Sequence, residues 1–86
     1  MSKSSLHSDE NKALVAVLVK ARKAVDISQT ELAERLNKSQ QFVSRIESGE
    51  RRVDLLEFIM IARALKIEPR DLLGRVLRQL PKNFEV

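Results

Sequence analysis

Between residues 28 and 49 the chain starts a helix, stops it and starts another with almost nothing in between. Ser28-Gln29-Thr30-Glu31 has the form of a capping box, serine at the N-cap and glutamate three positions on. Leu32, Ala33 and Leu36 follow at helical spacing and are expected to face inward. Asn37 stands where a helix needs a left-handed exit, a conformation asparagine tolerates better than any residue but glycine. Lys38 follows, and Ser39 can cap a further helix from Gln40 to Ser48, with Val43 and Ile46 inward and Gly49 past its end. A connector this short cannot fold two helices into an antiparallel hairpin. It leaves them at roughly 90–120°, with the small Ala33 near the crossing.

The rest of the chain reads as helix too. Two glycines and two prolines in 86 residues are too little punctuation for a set of short strands. A first helix is expected from Asp9 to Val25, capped by Ser8, with Leu14, Val17, Leu18, Ala21 and Val25 as its buried stripe. Asp54-Leu55-Leu56-Glu57 is a second capping box, opening a fourth helix to Lys66 that buries Leu55, Phe58, Ile59, Ala62 and Leu65. Glu68-Pro69 puts proline at the first position of a fifth helix, which runs through Leu72, Leu73, Val76, Leu77 and Leu80 and stops at Pro81. The expected organisation is all-α with five helices: a flexible leader over residues 1–8, one domain over 9–81 and a tail over 82–86.

Composition narrows the function. There is no cysteine, so thiol nucleophiles, zinc–thiolate sites and iron–sulfur clusters are excluded. The one histidine, His7, lies in the leader, so neither a multi-histidine metal site nor a catalytic triad on a rigid element is available. No catalytic residue, metal or cofactor is expected. With no Trp or Tyr and three Phe, stacking platforms for single strands are nearly absent. The net charge of +4 is segregated. Residues 12–23 carry Lys12, Lys20, Arg22 and Lys23 with no acid, residues 37–52 carry four bases against two acids, and residues 24–36 and 53–73 are net negative. The longest apolar run, Ala13–Val19, is too short for the ~20 residues of a membrane span, and the polar start does not resemble a signal peptide. The chain is expected to be soluble and cytoplasmic.

Arg22, then Ser28 through Glu34, Ser39-Gln40-Gln41, Ser44 through Gly49, and Ile61-Ala62-Arg63-Ala64-Leu65 together resemble the phage repressor, Cro and Xre family of helix-turn-helix domains. The likeness covers Ala21–Leu73, and Gly49 through Asp54 is similar to the loop of small bacterial Xre-type regulators. The chain departs from the pattern at the turn, where Asn37 replaces the usual glycine and Lys38 an apolar residue. The resemblance implies a lambda-repressor-like fold and a dimeric, sequence-specific regulator of transcription, a repressor, on an inverted-repeat operator in double-stranded DNA.

It also implies roles. Gln40, Gln41 and Arg45 would read bases, since a glutamine amide matches adenine N6 and N7 and an arginine fork matches guanine O6 and N7. Ser39 and Ser44 share that face, and Ser39 and Phe42 would meet thymine methyls or nearby backbone. An ordinary solvated helix would carry the same polar residues; the surrounding motif favours base readout. Gln29, Lys38, Arg51 and Arg52 would hold phosphates, with Lys12, Lys20 and Lys23 adding either charge or plain solubility. Arg22 and Glu47 would form an ion pair orienting the recognition helix, buried or exposed, with Arg22 sharing a phosphate. Leu56, Met60, Leu73, Val76, Leu77 and Leu80 exceed what one core stripe requires; they form either a homodimer interface or extra core of a monomer. The rival function is an antitoxin-like interaction module with a protein partner and autoregulatory DNA binding.

Overall fold

The computed structural model describes residues 8–81. Five helices follow in order: α1 (Asp9–Ala24), α2 (Gln29–Leu36), α3 (Gln40–Glu47), α4 (Leu55–Ala64) and α5 (Pro69–Gln79). Apart from Ser8, the leader and tail lie outside the described residues. Ser8 belongs to α1, its hydroxyl accepting from the Asn11 amide.

The helices begin where the caps require. Ser28 and Ser39 accept from the amides of Glu31 and Phe42. Asp54 and Glu57 complete a reciprocal box, Glu57 N–H donating to Asp54 Oδ1 at 2.7 Å and Asp54 N–H to Glu57 Oε1 at 3.1 Å. Only the serine half of the Ser28 box forms. The Glu31 carboxylate turns outward to Arg35, one helical turn on, which also donates to the Ala64 carbonyl of α4.

Four helices end in one way. Asp26, Asn37, Gly49 and Lys66 have φ of 61, 58, 83 and 61°. After each, the backbone makes the paired amide-to-carbonyl bonds of a Schellman turn, as in Asn37 to Glu34 and Lys38 to Ala33. The residues following Asp26 and Lys66 are Ile27 and Ile67, which fold back onto the core, Ile27 being buried and Ile67 partly so. The expected helix ends at Val25 and Lys66 shorten accordingly.

One apolar core joins all five helices, from Leu18 and Ala21 through Leu32, Ala33, Val43, Ile46 and Ala62 to Leu72 and Val76. Three expectations need correction. Val25 is 42% and Leu55 69% exposed, and Ile59 is only half-buried, while Ile61 enters the core at 3%. α4 is apolar nearly all round, so spacing alone cannot select its inner face; Phe58, Ile61, Ala62 and Leu65 form the stripe that meets its neighbours. Val76 is likewise spent inside the chain's own core, and Leu80 is partly so. α2 packs on α3 and α4, α1 on α3 and α5, and α4 on α5, which leaves the outer face of α3 open. No helix among the described residues is long and apolar enough to cross a membrane.

Candidate nucleic-acid interface

Three short segments carry the candidate residues: the first turn of α2, the exposed face of α3 and the loop from Ser48 to Asp54. Val43 and Ile46 pin α3 to the core, so helical geometry turns Gln40, Gln41 and Arg45 outward, and all three are exposed. Gln41 and Arg45 have no side-chain partner among the described residues. Ser44 is half-buried, and the Ser39 hydroxyl is engaged as the cap of α3.

Behind this face runs a chain of hydrogen bonds. Arg22 of α1 is buried, its side chain 9% exposed and that of Glu47 8%. Its Nε donates to Glu47 Oε2 at 2.7 Å, Nη2 to Oε1 at 2.9 Å and Nη1 to the Ile27 carbonyl at 2.7 Å. The bonds to Glu47 raise the Arg22 pKa against the opposing effect of burial. Glu47 Oε1 also accepts from Gln29 Nε2 at 2.9 Å, and Gln29 Oε1 accepts from Gln40 Nε2 at 2.7 Å. Gln29 and Gln40 are the first residues of α2 and α3, which is why the turn brings them together. The ion pair is therefore the buried alternative. Burial and these three bonds leave the guanidinium little free surface for the phosphate contact expected of it.

The basic residues flanking α3 are placed unequally. Lys38 and Arg52 are exposed. Lys38 lies 5.4 Å from the Phe42 ring centroid and Arg51 4.6 Å from it. Arg51 also forms a two-pronged pair with Glu57, at 2.8 Å on each prong, a partner the sequence does not announce. Lys12, Lys20 and Lys23 are exposed along α1.

The apolar surplus divides. Leu56, Met60, Leu73 and Leu77 are 71, 41, 44 and 60% exposed, and Leu55 joins them, while Val76 does not. An open groove of about 480 Å³ between α1 and α5 is floored by Ala16, Val17 and Ala21 and rimmed by Lys20, Arg75 and Arg78. Its lining contains no carboxylate, hydroxyl or imidazole that could act as acid, base or nucleophile.

The helix-turn-helix family HTH_3 matches residues 18–72 of this chain. An XRE-family like protein from Pseudomonas syringae pv. tomato is 39% identical, with 90% of this chain and 94% of that one covered and a TM-score of 0.79. The restriction-modification controller protein C.AhdI from Aeromonas hydrophila is 32% identical over 76% of this chain and 98% of its own, with a TM-score of 0.70. The clp gene regulator ClgR from C. glutamicum, 24% identical with a TM-score of 0.76, shares the fold over 86% of this chain and 96% of its own. No curated protein matches significantly. Caps, left-handed exit, the packing of α2 on α3 and family match agree: the chain belongs to the Xre-type helix-turn-helix family, non-enzymatic DNA-binding regulators of transcription with the lambda-repressor-like fold.

Proposed function

We propose that this protein is a homodimeric repressor whose α3 enters the major groove of an inverted-repeat operator. The observation that carries the reading is the hydrogen-bonded line from Arg22 through Glu47 and Gln29 to Gln40, because it holds a base-reading amide in one orientation at the tip of α3. Gln41 and Arg45 extend the reading along the same face. Lys38, Arg52 and the first turn of α2 supply phosphate contacts, which set position and carry no sequence information themselves. The exposed leucines of α4 and α5, with Met60, are the surface on which a second copy docks, spacing the two α3 helices by one DNA turn, ~34–36 Å. The 32% identical C.AhdI is a restriction-modification controller. Control of a nearby promoter is consistent with that likeness.

Selection from random duplexes tests it. An inverted repeat with half-site centres ~10–10.5 base pairs apart is the expected product, and a set with no repeat overturns the proposal. On the selected site, Arg45→Ala is expected to relax one base position per half-site at a cost of ~1–3 kcal/mol. A loss uniform across all sequences would make Arg45 a phosphate contact instead.

A further inference from the structure

The sequence marks Arg51 as a phosphate clamp, but its surroundings commit it elsewhere. Nη1 donates to Glu57 Oε1 at 2.8 Å and to the Arg52 carbonyl at 2.7 Å, and Nη2 donates to Glu57 Oε2 at 2.8 Å. Three of its five N–H groups are thereby used, leaving only the Nε side of the fork for anything outside. The guanidinium also lies 4.6 Å from the Phe42 ring centroid, within the ~6 Å reach of a cation–π contact. Phe42 is on α3, Arg52 is in the loop and Glu57 is in the first turn of α4. One planar cation therefore touches all three segments. Glu57 is 15% exposed and holds the loop a second time, through the Asp54 amide. Its carboxyl is held below the usual range, first by the bonds from Arg51 and against the effect of burial. A cation neutralised by a carboxylate at 2.8 Å offers a DNA phosphate little net attraction.

We infer that Arg51 is a positioning residue: with Glu57 and the Phe42 ring it braces α3 and its following loop against α4, rather than gripping the DNA backbone. The inference rests on the DNA-reading role proposed for α3. The two roles predict opposite signs for Glu57→Gln. Glutamine at this position can still cap Asp54, yet it removes the charge that holds the fork and a negative charge near the DNA. If Arg51 is a brace, Glu57→Gln weakens operator binding; if Arg51 is a clamp, the same change frees it and binding holds or tightens.

The test titrates wild type, Glu57→Gln, Arg51→Lys and Arg51→Ala against one selected duplex over a range of salt. Glu57→Gln is expected to bind about 3- to 10-fold more weakly at fixed salt, with the slope of log K against log salt unchanged. Arg51→Lys keeps the charge but loses the fork and the flat face, so it should lose as much as Arg51→Ala. Binding by Glu57→Gln as tight as wild type, or a slope reduced by about one in Arg51→Ala, overturns the inference, because the latter marks a lost phosphate contact. Amide hydrogen exchange at Val43–Ile46 of DNA-free Glu57→Gln reads the brace independently: faster exchange supports it and unchanged exchange overturns it. If wild type prefers no duplex, the DNA reading itself fails and the exchange result alone decides the brace.

Discussion

A carboxylate only accepts hydrogen bonds, and Glu47 turns that restriction into orientation. Because Glu47 Oε1 must accept, Gln29 presents its amino group to it and its carbonyl to Gln40. Gln40 must then turn its own amino group inward, leaving its carbonyl oxygen and one N–H facing out. That is the acceptor and donor pair that adenine N6 and N7 require. Arg22 holds Glu47 with two donors and anchors itself to the Ile27 carbonyl with a third. Removing one partner of a buried pair costs ~3–5 kcal/mol, whereas replacing both by apolar groups is often neutral or stabilising. Arg22→Ala is therefore expected to lower the melting temperature and operator affinity together. Arg22→Met/Glu47→Leu should melt near wild type yet lose base preference at the Gln40 position, because nothing then orients Gln29. Calorimetric melting beside binding to a panel of single-base operator variants separates the two effects, and full preference in the double variant would rule out the relay.

At the scale of elements, the chain controls helix ends more tightly than helix faces. Asp26, Asn37, Gly49 and Lys66 all take positive φ at the ends of α1 to α4. Asparagine and glycine tolerate that conformation, aspartate somewhat less, and lysine has no side-chain bond to offset it. Lys66 is exposed, so Lys66→Gly relieves backbone strain without opening the core. It is expected to raise stability by ~0.5–1 kcal/mol, read as a shift of the urea midpoint with unchanged slope; a lower midpoint would show that the lysine is not strained. The exit at Asn37 was legible because asparagine and glycine are the residues that announce it. Those at Asp26 and Lys66 were not, since neither residue type signals a left-handed turn and only the isoleucine after each, folded onto the core, holds it there.

At the scale of the whole molecule, the described residues leave an apolar surface uncovered besides the open face of α3. Leu55, Leu56, Met60, Leu73 and Leu77 stand out from α4 and α5, two helices that pack on each other. If a second copy covers them, Leu56→Lys with Leu77→Lys keeps the helical fold, since both are outside the core, and yields a monomer by sedimentation. Operator binding should then fall steeply while half-site binding persists. A double variant that still sediments as a dimer would place the interface elsewhere. The outward-facing trio on α3 and the pairing of Arg22 with Glu47 were both legible in the sequence, carried by the likeness to a familiar motif; that the pair is buried was not. The Glu57 partner of Arg51 was not, because a glutamate at the third helical position is already accounted for as a cap.

The sequence alone determined the number of helices, their starts and the sharp bend between α2 and α3. Those features are local: serine, aspartate and glutamate side chains accept from amides two or three positions on, asparagine allows the left-handed exit, and proline fixes φ at the start of α5. Tertiary structure decided which side of α4 is inside, that Arg22 and Glu47 are buried, and that Arg51 faces Glu57 and Phe42. An all-round apolar helix has no preferred phase until its neighbours arrive. Likewise, the partner of a long cation is chosen only when packing has fixed which acids and rings lie within its reach.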